Sequence, residues 1–211
     1  HATLCPDEVG RYADSVVIGE AEEIFPRLLD DYRHGRPERV YRAEGRPART
    51  ATPDRSIFQG KRYLPLGLVE FARGCRFRCD FCAITAAFQA RQTHRPVDRV
   101  IEEVQRVRRR GQMIFFVDDN ITSDLNAAKE LMRALIPLKI RWVSQSAINV
   151  AYDDEALELM KRSGCQGVLV GFESLDEAAL AQMNKRFNLM KGGPRAALER
   201  FRAHGLRLYG T

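Results

Sequence analysis

Leu64-Pro-Leu-Gly-Leu-Val-Glu-Phe-Ala-Arg-Gly-Cys-Arg-Phe-Arg-Cys-Asp-Phe-Cys82 is the stretch on which the fold turns. Its first part, Leu64–Phe71, is an apolar run that reads as a buried strand. Its second part crowds Cys75, Cys79 and Cys82 into a loop at the carboxyl end of that strand, spaced Cys-x3-Cys-x2-Cys.

Downstream, helix and strand signals alternate. Asp98–Arg109 carries Val100, Ile101, Val104 and Val107 as one apolar stripe and is ended by Gly111. Met113–Val117 is a continuous apolar strand. Asp124 reads as the N-cap of a helix through Leu135, stopped by Pro137. Then come a strand at Ile140–Ser146, a helix at Asp153–Arg162 with Gly164 after it, and a strand at Gly167–Phe172. Helices at Leu175–Met183 and Pro194–Ala203 precede a last strand at Leu206–Gly210. Apolar strands alternating with helices imply an α/β fold with a parallel sheet. A partial (β/α) barrel of parallel strands is expected, with a doubly wound open sheet as the alternative.

Upstream, residues 14–18 read as a short strand and 21–33 as a helix with Ile24, Leu28 and Leu29 on one face, a βα fragment of a larger sheet. The stretch from Gly35 to Gly60 is rich in Arg, Pro, Gly and Thr, with little periodicity, and reads as a linker. Three segments follow: 1–35, a linker at 36–61, and a core at 62–211. With no helix to cover the last strand, the chain is expected to be a fragment of a longer protein, truncated at its C-terminus.

The 211 residues are 45% hydrophobic, enough to build a core without disulfide staples. No apolar run approaches the roughly 18 residues of a membrane span, and the N-terminus lacks the pattern of a signal peptide, so a cytoplasmic location is expected. The net charge is +6. Basic residues such as Arg106, Arg108, Arg109 and Arg110 are scattered as on a solvated helix surface, and a nucleic-acid partner is not expected. Five cysteines, three of them within one loop, suit metal or redox chemistry better than disulfides.

Polar residues recur at one end of four successive strands: the cysteine loop, Asp118-Asp-Asn120, Ser144-Gln-Ser146 and Gly171-Phe-Glu-Ser174. In parallel α/β folds that end gathers the active site. Three thiolates on one loop could hold three irons of an iron–sulfur cluster and leave the fourth open. They could instead hold a structural zinc with Cys5, Cys165 or His94 as fourth ligand. Cys165, just after a helix end, reads as a buried small apolar residue. Arg95 and Lys185 read as surface or loop charges.

Cys75-Arg-Phe-Arg-Cys-Asp-Phe-Cys82 resembles the signature of the radical S-adenosylmethionine (radical SAM) superfamily, Cys-x3-Cys-x-aromatic-Cys. The similarity runs from about Leu64 to Thr211, through Asp118-Asp-Asn120, Ser144-Gln-Ser146, Gly171-Phe-Glu-Ser174 and Met183-Asn-Lys185. These accessory segments resemble the subgroup that carries an N-terminal cobalamin-binding domain. Residues 1–8 and 14–22 resemble the tail of that Rossmann-like domain.

The resemblance implies about five of the six strands of a radical SAM barrel. It implies a [4Fe-4S] cluster on Cys75, Cys79 and Cys82, with S-adenosyl-L-methionine on the open iron and a 5′-deoxyadenosyl radical as product of its reductive cleavage. Phe81 matches the aromatic position whose backbone approaches adenine. Asp118, Asp119 and Asn120 stand where the family holds the methionyl ammonium, as Asp-Asp-Asn rather than the commoner Gly-Gly-Glu, so which of them makes the contact is open. Glu173 and Ser174 fall where the family places a polar residue on the cofactor. Ser144 and Gln145 are further candidates, but alternation lets only Ser144 with Ser146, or Gln145 alone, face the barrel interior. No catalytic residue is assigned.

The implied activity is that of a cobalamin-associated C-methyltransferase acting on a small-molecule or lipid substrate, with an electron donor such as flavodoxin or ferredoxin. Cobalamin is expected in the full-length protein and is not expected to bind this fragment well. Two alternatives stand beside this reading. A tRNA methylthiotransferase-like enzyme would need three further N-terminal cluster cysteines, where only Cys5 precedes the loop. A zinc-stabilised interaction module is the non-enzymatic one.

Overall fold

The computed structural model describes residues 2–43, 52–58, 60–108 and 112–211. Residues 1–59 and 60–211 form two compact units. In the first, helix α1 (Pro6–Val9), strand β1 (Val16–Ile18), helix α2 (Phe25–Arg33) and strand β2 (Val40–Arg42) follow one another. β1 and β2 pair in parallel, Val16 opposite Val40. Helix α2 begins at Phe25, later than the sequence suggests, with Pro26 in its first turn, where a missing N–H costs nothing. β2 corrects the reading of residues 36–61 as linker throughout. It is too short for any periodicity to register and is anchored by the buried Tyr41. The Tyr41 hydroxyl donates to Asp31 Oδ2 (3.1 Å) and accepts from the Glu38 N–H (2.9 Å).

The second unit is built on strand β3 (Leu66–Val69), followed by strand β4 (Ala72–Gly74), helix α3 (Ala83–Phe88) and strand β5 (Gln92–His94). Helix α4 (Val97–Val107), strand β6 (Met113–Phe116), helix α5 (Leu125–Leu135) and strand β7 (Arg141–Ser146) come next. Helix α6 (Asp154–Ser163), strand β8 (Cys165–Val170), helices α7 (Glu177–Gln182) and α8 (Gly193–Ala203) and strand β9 (Arg207–Gly210) complete it. Arg109, Arg110 and Gly111, the expected end of the fourth helix, lie outside the described residues.

Among the described residues, β3, β6, β7, β8 and β9 form one sheet in that order, every pair parallel. A doubly wound sheet would reverse its strand order midway. This order never reverses, and the sheet is a partial (β/α) barrel. Val69, Ile114, Phe116, Trp142, Val168 and Val170 face the helices. There they meet Val100 and Val104 of α4, Leu131, Met132 and Leu135 of α5, Leu157 and Met160 of α6, and Ala197 and Phe201 of α8. Trp142 stands edge-on to Phe116, ring centroids 5.7 Å apart, and its indole N–H donates to Ser163 Oγ (3.1 Å). By strand alternation and register, the opposite face carries Leu66, Leu68, Phe115, Val143, Gln145, Leu169 and Tyr209.

Local chemistry sets the boundaries. Pro65 has no N–H to offer, and β3 starts after it. Asp124 and Asp153 cap α5 and α6, accepting from Asn126 and Ala127, and from Ala156. Gly164 ends α6 at φ +92°, and a Cβ there would sit inside the Ile140 carbonyl oxygen. Gly164→Ala should therefore destabilise the unit by about 2–4 kcal/mol, combining left-handed strain and a backbone clash. Urea denaturation should show it as a lowered midpoint at unchanged slope.

Candidate functional site

The cysteine loop hangs from β4, which pairs antiparallel with β5, Ala72 opposite His94 and Gly74 opposite Gln92. The sequence reading missed this ribbon because each strand has three residues with no apolar alternation. Gly74 (φ +81°) is required at its end: a Cβ would run into the Arg91 carbonyl and lie 3.1 Å from the Phe88 ring. Cys79 is buried, Cys75 and Cys82 are half-buried, and Cys82 opens α3 as its N-cap residue.

The segment after β6 grips the approach to this loop. Asp118 Oδ1 accepts from the N–H groups of Phe71 (2.9 Å) and Ala72, and Asp119 Oδ2 accepts from that of Gly74 (2.8 Å). Asn120 Nδ2 donates to Cys75 Sγ (3.5 Å), while its Oδ1 accepts from the Thr122 N–H and hydroxyl and from the Ala147 N–H. Ser123 Oγ donates to Cys75 Sγ (3.7 Å) and accepts from the Arg76 N–H (2.8 Å). Arg76 closes the series on Asp124 at 2.5 Å. Residues 118–124 thus meet 71–76 in parallel order, contact by contact.

A second grip comes from beyond β8. Asn184 Nδ2 donates to the Arg78 carbonyl (2.7 Å), the Asp80 N–H donates to the Met183 carbonyl (3.1 Å), and Phe187 stacks on Phe77 at 4.2 Å. Lys185 is not a surface charge: it is 8% exposed, its Nζ is 2.8 Å from Glu173 Oε1 and it lies 5.6 Å from the Phe81 ring centre. Glu173 adopts φ +62°, a strained setting for a non-glycine residue, held by its N–H on the Thr211 carbonyl (3.0 Å). Arg95 is likewise buried, paired with Glu103 at 2.6 Å and donating to the Glu70 carbonyl at 2.7 Å. Both cations were read as exposed because their partners are distant in sequence, and burial of a charge is tolerated only with such partners.

Of the other expected site residues, Phe81 is exposed beside Lys185. Gln145 stands on the open sheet face, whereas Ser144 and Ser146 turn to the helix-covered side. Ser144 is buried there and donates to the Phe116 carbonyl (2.8 Å), which removes it from the open face. Ser174 accepts from the Asp176 N–H (3.0 Å) and shapes the turn into α7. Ser123 was missed, and only its third-position offset from Asn120 could have flagged it.

Burial raises the Asp118 carboxyl to about 7, against the two backbone N–H groups that favour its ionised form; Glu70 and Asp119 add smaller like-charge contributions. Its Oδ2 has no hydrogen-bond partner among the described residues. Burial also raises Cys79, opposed by the Lys185 ammonium, and lifts Cys165 to about 12, as befits an inert core thiol.

Among the described residues, no three His, Cys, Asp or Glu side chains are arranged to hold a metal ion. The donor set nonetheless suits thiolate ligation. Asn120 and Ser123 both donate to Cys75 Sγ, and Lys185 partly offsets the burial that raises the Cys79 thiol. The three thiols fit an iron–sulfur cluster in chemistry, where each would serve one iron and no single ion would need all three.

An acid raised in the fold keeps a proton that the unfolded chain releases. Its stabilising contribution is complete below about 4 and lost as pH rises through about 7. Asp118→Asn keeps the acceptor for Phe71 and Ala72 and removes the titration. Thermal melts of the cluster-free protein should show the variant gaining on wild type as pH rises from 5 to 8, by on the order of a few kcal/mol, whatever fixed offset its amide group adds at the unpartnered Oδ2 position.

The radical SAM superfamily model matches residues 69–209, and the chain belongs to that superfamily. It is 30% identical over 201 residues to bacteriochlorophyllide d C-12(1)-methyltransferase of Chlorobaculum tepidum, covering 90% of this chain and 44% of that protein. It is 28% identical over 202 residues to hopanoid C-2 methylase of Rhodopseudomonas palustris, covering 89% and 38%. The chain thus spans less than half the length of these relatives. Its fold is similar to that of the radical S-adenosylmethionine methyltransferase TsrM from Kitasatospora setae, solved with cobalamin and a [4Fe-4S] cluster bound. The TM-score is 0.59 at 21% identity, over 69% of this chain and 30% of that one.

Proposed function

We propose that this radical SAM protein is the cofactor-binding part of a cobalamin-associated C-methyltransferase. The observation that carries the reading is the double grip on the cysteine loop, by residues 118–124 on one side and 183–187 on the other, at the carboxyl ends of β6 and β8. Cys75, Cys79 and Cys82 would hold a [4Fe-4S] cluster. When bound, that cluster supplies the electron for reductive cleavage of S-adenosylmethionine.

The chain's own residues divide the remaining work. Asp119, half-buried and anchored by one oxygen to Gly74, is the carboxylate offered to the methionyl ammonium. Asp118, whose Oδ1 is held by two backbone N–H groups, sets the height of the cysteine strand. Glu173, oriented by Lys185, offers a second acceptor beyond the carboxyl end of β8, two strands along from β6, and Phe81 an apolar surface beside Lys185. Gln145 is the polar residue at the carboxyl end of an open face that Leu66, Leu68, Phe115, Val143 and Leu169 make largely apolar, with Arg141 and Arg207 at the amino ends of β7 and β9. Such a face suits a carbon-rich substrate and excludes water from a reactive intermediate. The two curated relatives act, by name, on a bacteriochlorophyllide and a hopanoid, and an apolar small molecule or lipid is the substrate class proposed here. Cobalamin would be held by the full-length protein, where residues 1–35 form the tail of its domain, and a flavodoxin or ferredoxin would deliver the electron.

Anaerobic reconstitution should load about four irons and four sulfides per chain. Cys79→Ala should lose the cluster and the reductive cleavage of S-adenosylmethionine, while Cys165→Ala should retain both. One tightly held zinc with no iron uptake would sink the reading. With the cluster in place, methyl transfer by the full-length protein to an apolar acceptor, dependent on methylcobalamin, would establish the reaction class.

A further inference from the structure

Cys75 differs from the other two thiols in its surroundings. Its Sγ receives two hydrogen bonds, from Asn120 Nδ2 (3.5 Å) and Ser123 Oγ (3.7 Å). Among the described residues, Cys79 and Cys82 receive none at sulfur. Neither donor is free to turn elsewhere. Asn120 is oriented by three hydrogen bonds to its Oδ1, from Thr122 N, Thr122 Oγ1 and Ala147 N, and its carbonyl accepts from Gln92 Nε2 (2.8 Å). The Ser123 hydroxyl accepts from the Arg76 N–H, so its own proton is left for the sulfur. Asn120 is buried, so its donor meets little competition from water.

On the reading that the three cysteines hold a [4Fe-4S] cluster, we infer that Asn120 and Ser123 are positioning residues that raise its reduction potential through Cys75. The sign follows from charge. One electron arriving from a ferredoxin- or flavodoxin-class donor adds negative charge to the cluster and its thiolate ligands. A hydrogen bond donated to sulfur stabilises that more negative, reduced state over the oxidised one. Withdrawing a donor therefore lowers the potential and makes the cluster harder to reduce. The asymmetry directs the effect to the iron on Cys75.

Asn120→Asp is the sharpest variant, because it keeps the acceptor oxygen for Thr122 and Ala147 and replaces only the donor by an anionic oxygen. Ser123→Ala removes the second donor, and Ser123→Thr restores a hydroxyl. Each protein is reconstituted anaerobically, assayed for iron and sulfide, and titrated with dithionite and mediators while the reduced cluster is followed by electron paramagnetic resonance. Expected are full iron loading in all variants and an approximately tenfold shift of the reduction equilibrium towards the oxidised cluster in Ser123→Ala. That shift is about 59 mV for one electron. Asn120→Asp should shift further in the same direction, and Ser123→Thr should return towards wild type. Fully loaded variants titrating with wild type would overturn the inference, as would a Ser123→Thr drop equal to that of Ser123→Ala. Loss of iron from both donor variants would also overturn it, by making the residues supports of the loop and nothing more. A wild-type protein that takes up no four-iron cluster would overturn the reading beneath it, and this inference with it.

Discussion

The contact on which the rest of the second unit depends is the pair of backbone N–H groups of Phe71 and Ala72 held by the buried carboxylate of Asp118. It comes where β3 has just left the sheet and the chain turns into β4, whose first residue, Ala72, is also paired opposite His94 of β5. Buried amides without acceptors would cost about 1–3 kcal/mol each. Asp118 supplies both from the end of the neighbouring strand, and Asp119, Asn120, Ser123 and Asp124 continue the same alignment along Gly74, Cys75 and Arg76. Two strand ends that would otherwise be separate loops become one rigid platform, and the first thiol is fixed on it.

That alignment is possible only because the sheet is parallel and β3 and β6 are neighbours. Their carboxyl ends then lie side by side, so a short polar run after one can reach the backbone after the other. The core enforces the arrangement. Trp142, Phe116, Ile114 and the apolar faces of α4, α5 and α6 fill one side of the sheet, which commits every even-numbered residue of β7 to the buried side and leaves Gln145 to the other. Ser144 and Ser146 are hydroxyls spent inside that core, on the Phe116 carbonyl and on Thr122.

Two ion pairs stand beside the platform, Arg95–Glu103 with both partners buried and Lys185–Glu173 with only the lysine buried. Ion pairs in such settings owe little to net stabilisation, since desolvation offsets much of their attraction. Their use here is geometric. Arg95 also donates to the Glu70 carbonyl beside the Asp118 clamp, and Lys185 lies between Glu173, Phe81 and the Cys79 thiol. Glu173 is held in a left-handed backbone setting that its own side chain would not choose, a local strain of about 1–3 kcal/mol spent at a strand end.

By itself, the sequence determined the α/β class, the order of the main elements of the second unit, the helix cap at Asp124, and the thiol loop with its family signature. Each is written in near neighbours, because periodicity, caps and motif spacing act over a few residues. The tertiary structure alone decided which polar residues serve the loop and which serve the fold. It turned Ser144 away, buried Lys185 and Arg95, paired the three-residue strands β1 with β2 and β4 with β5, and brought Ser123 to Cys75. Those outcomes rest on partners between 8 and 48 positions away along the chain. No local pattern records such a partner, because only packing against the shared sheet brings the two ends together.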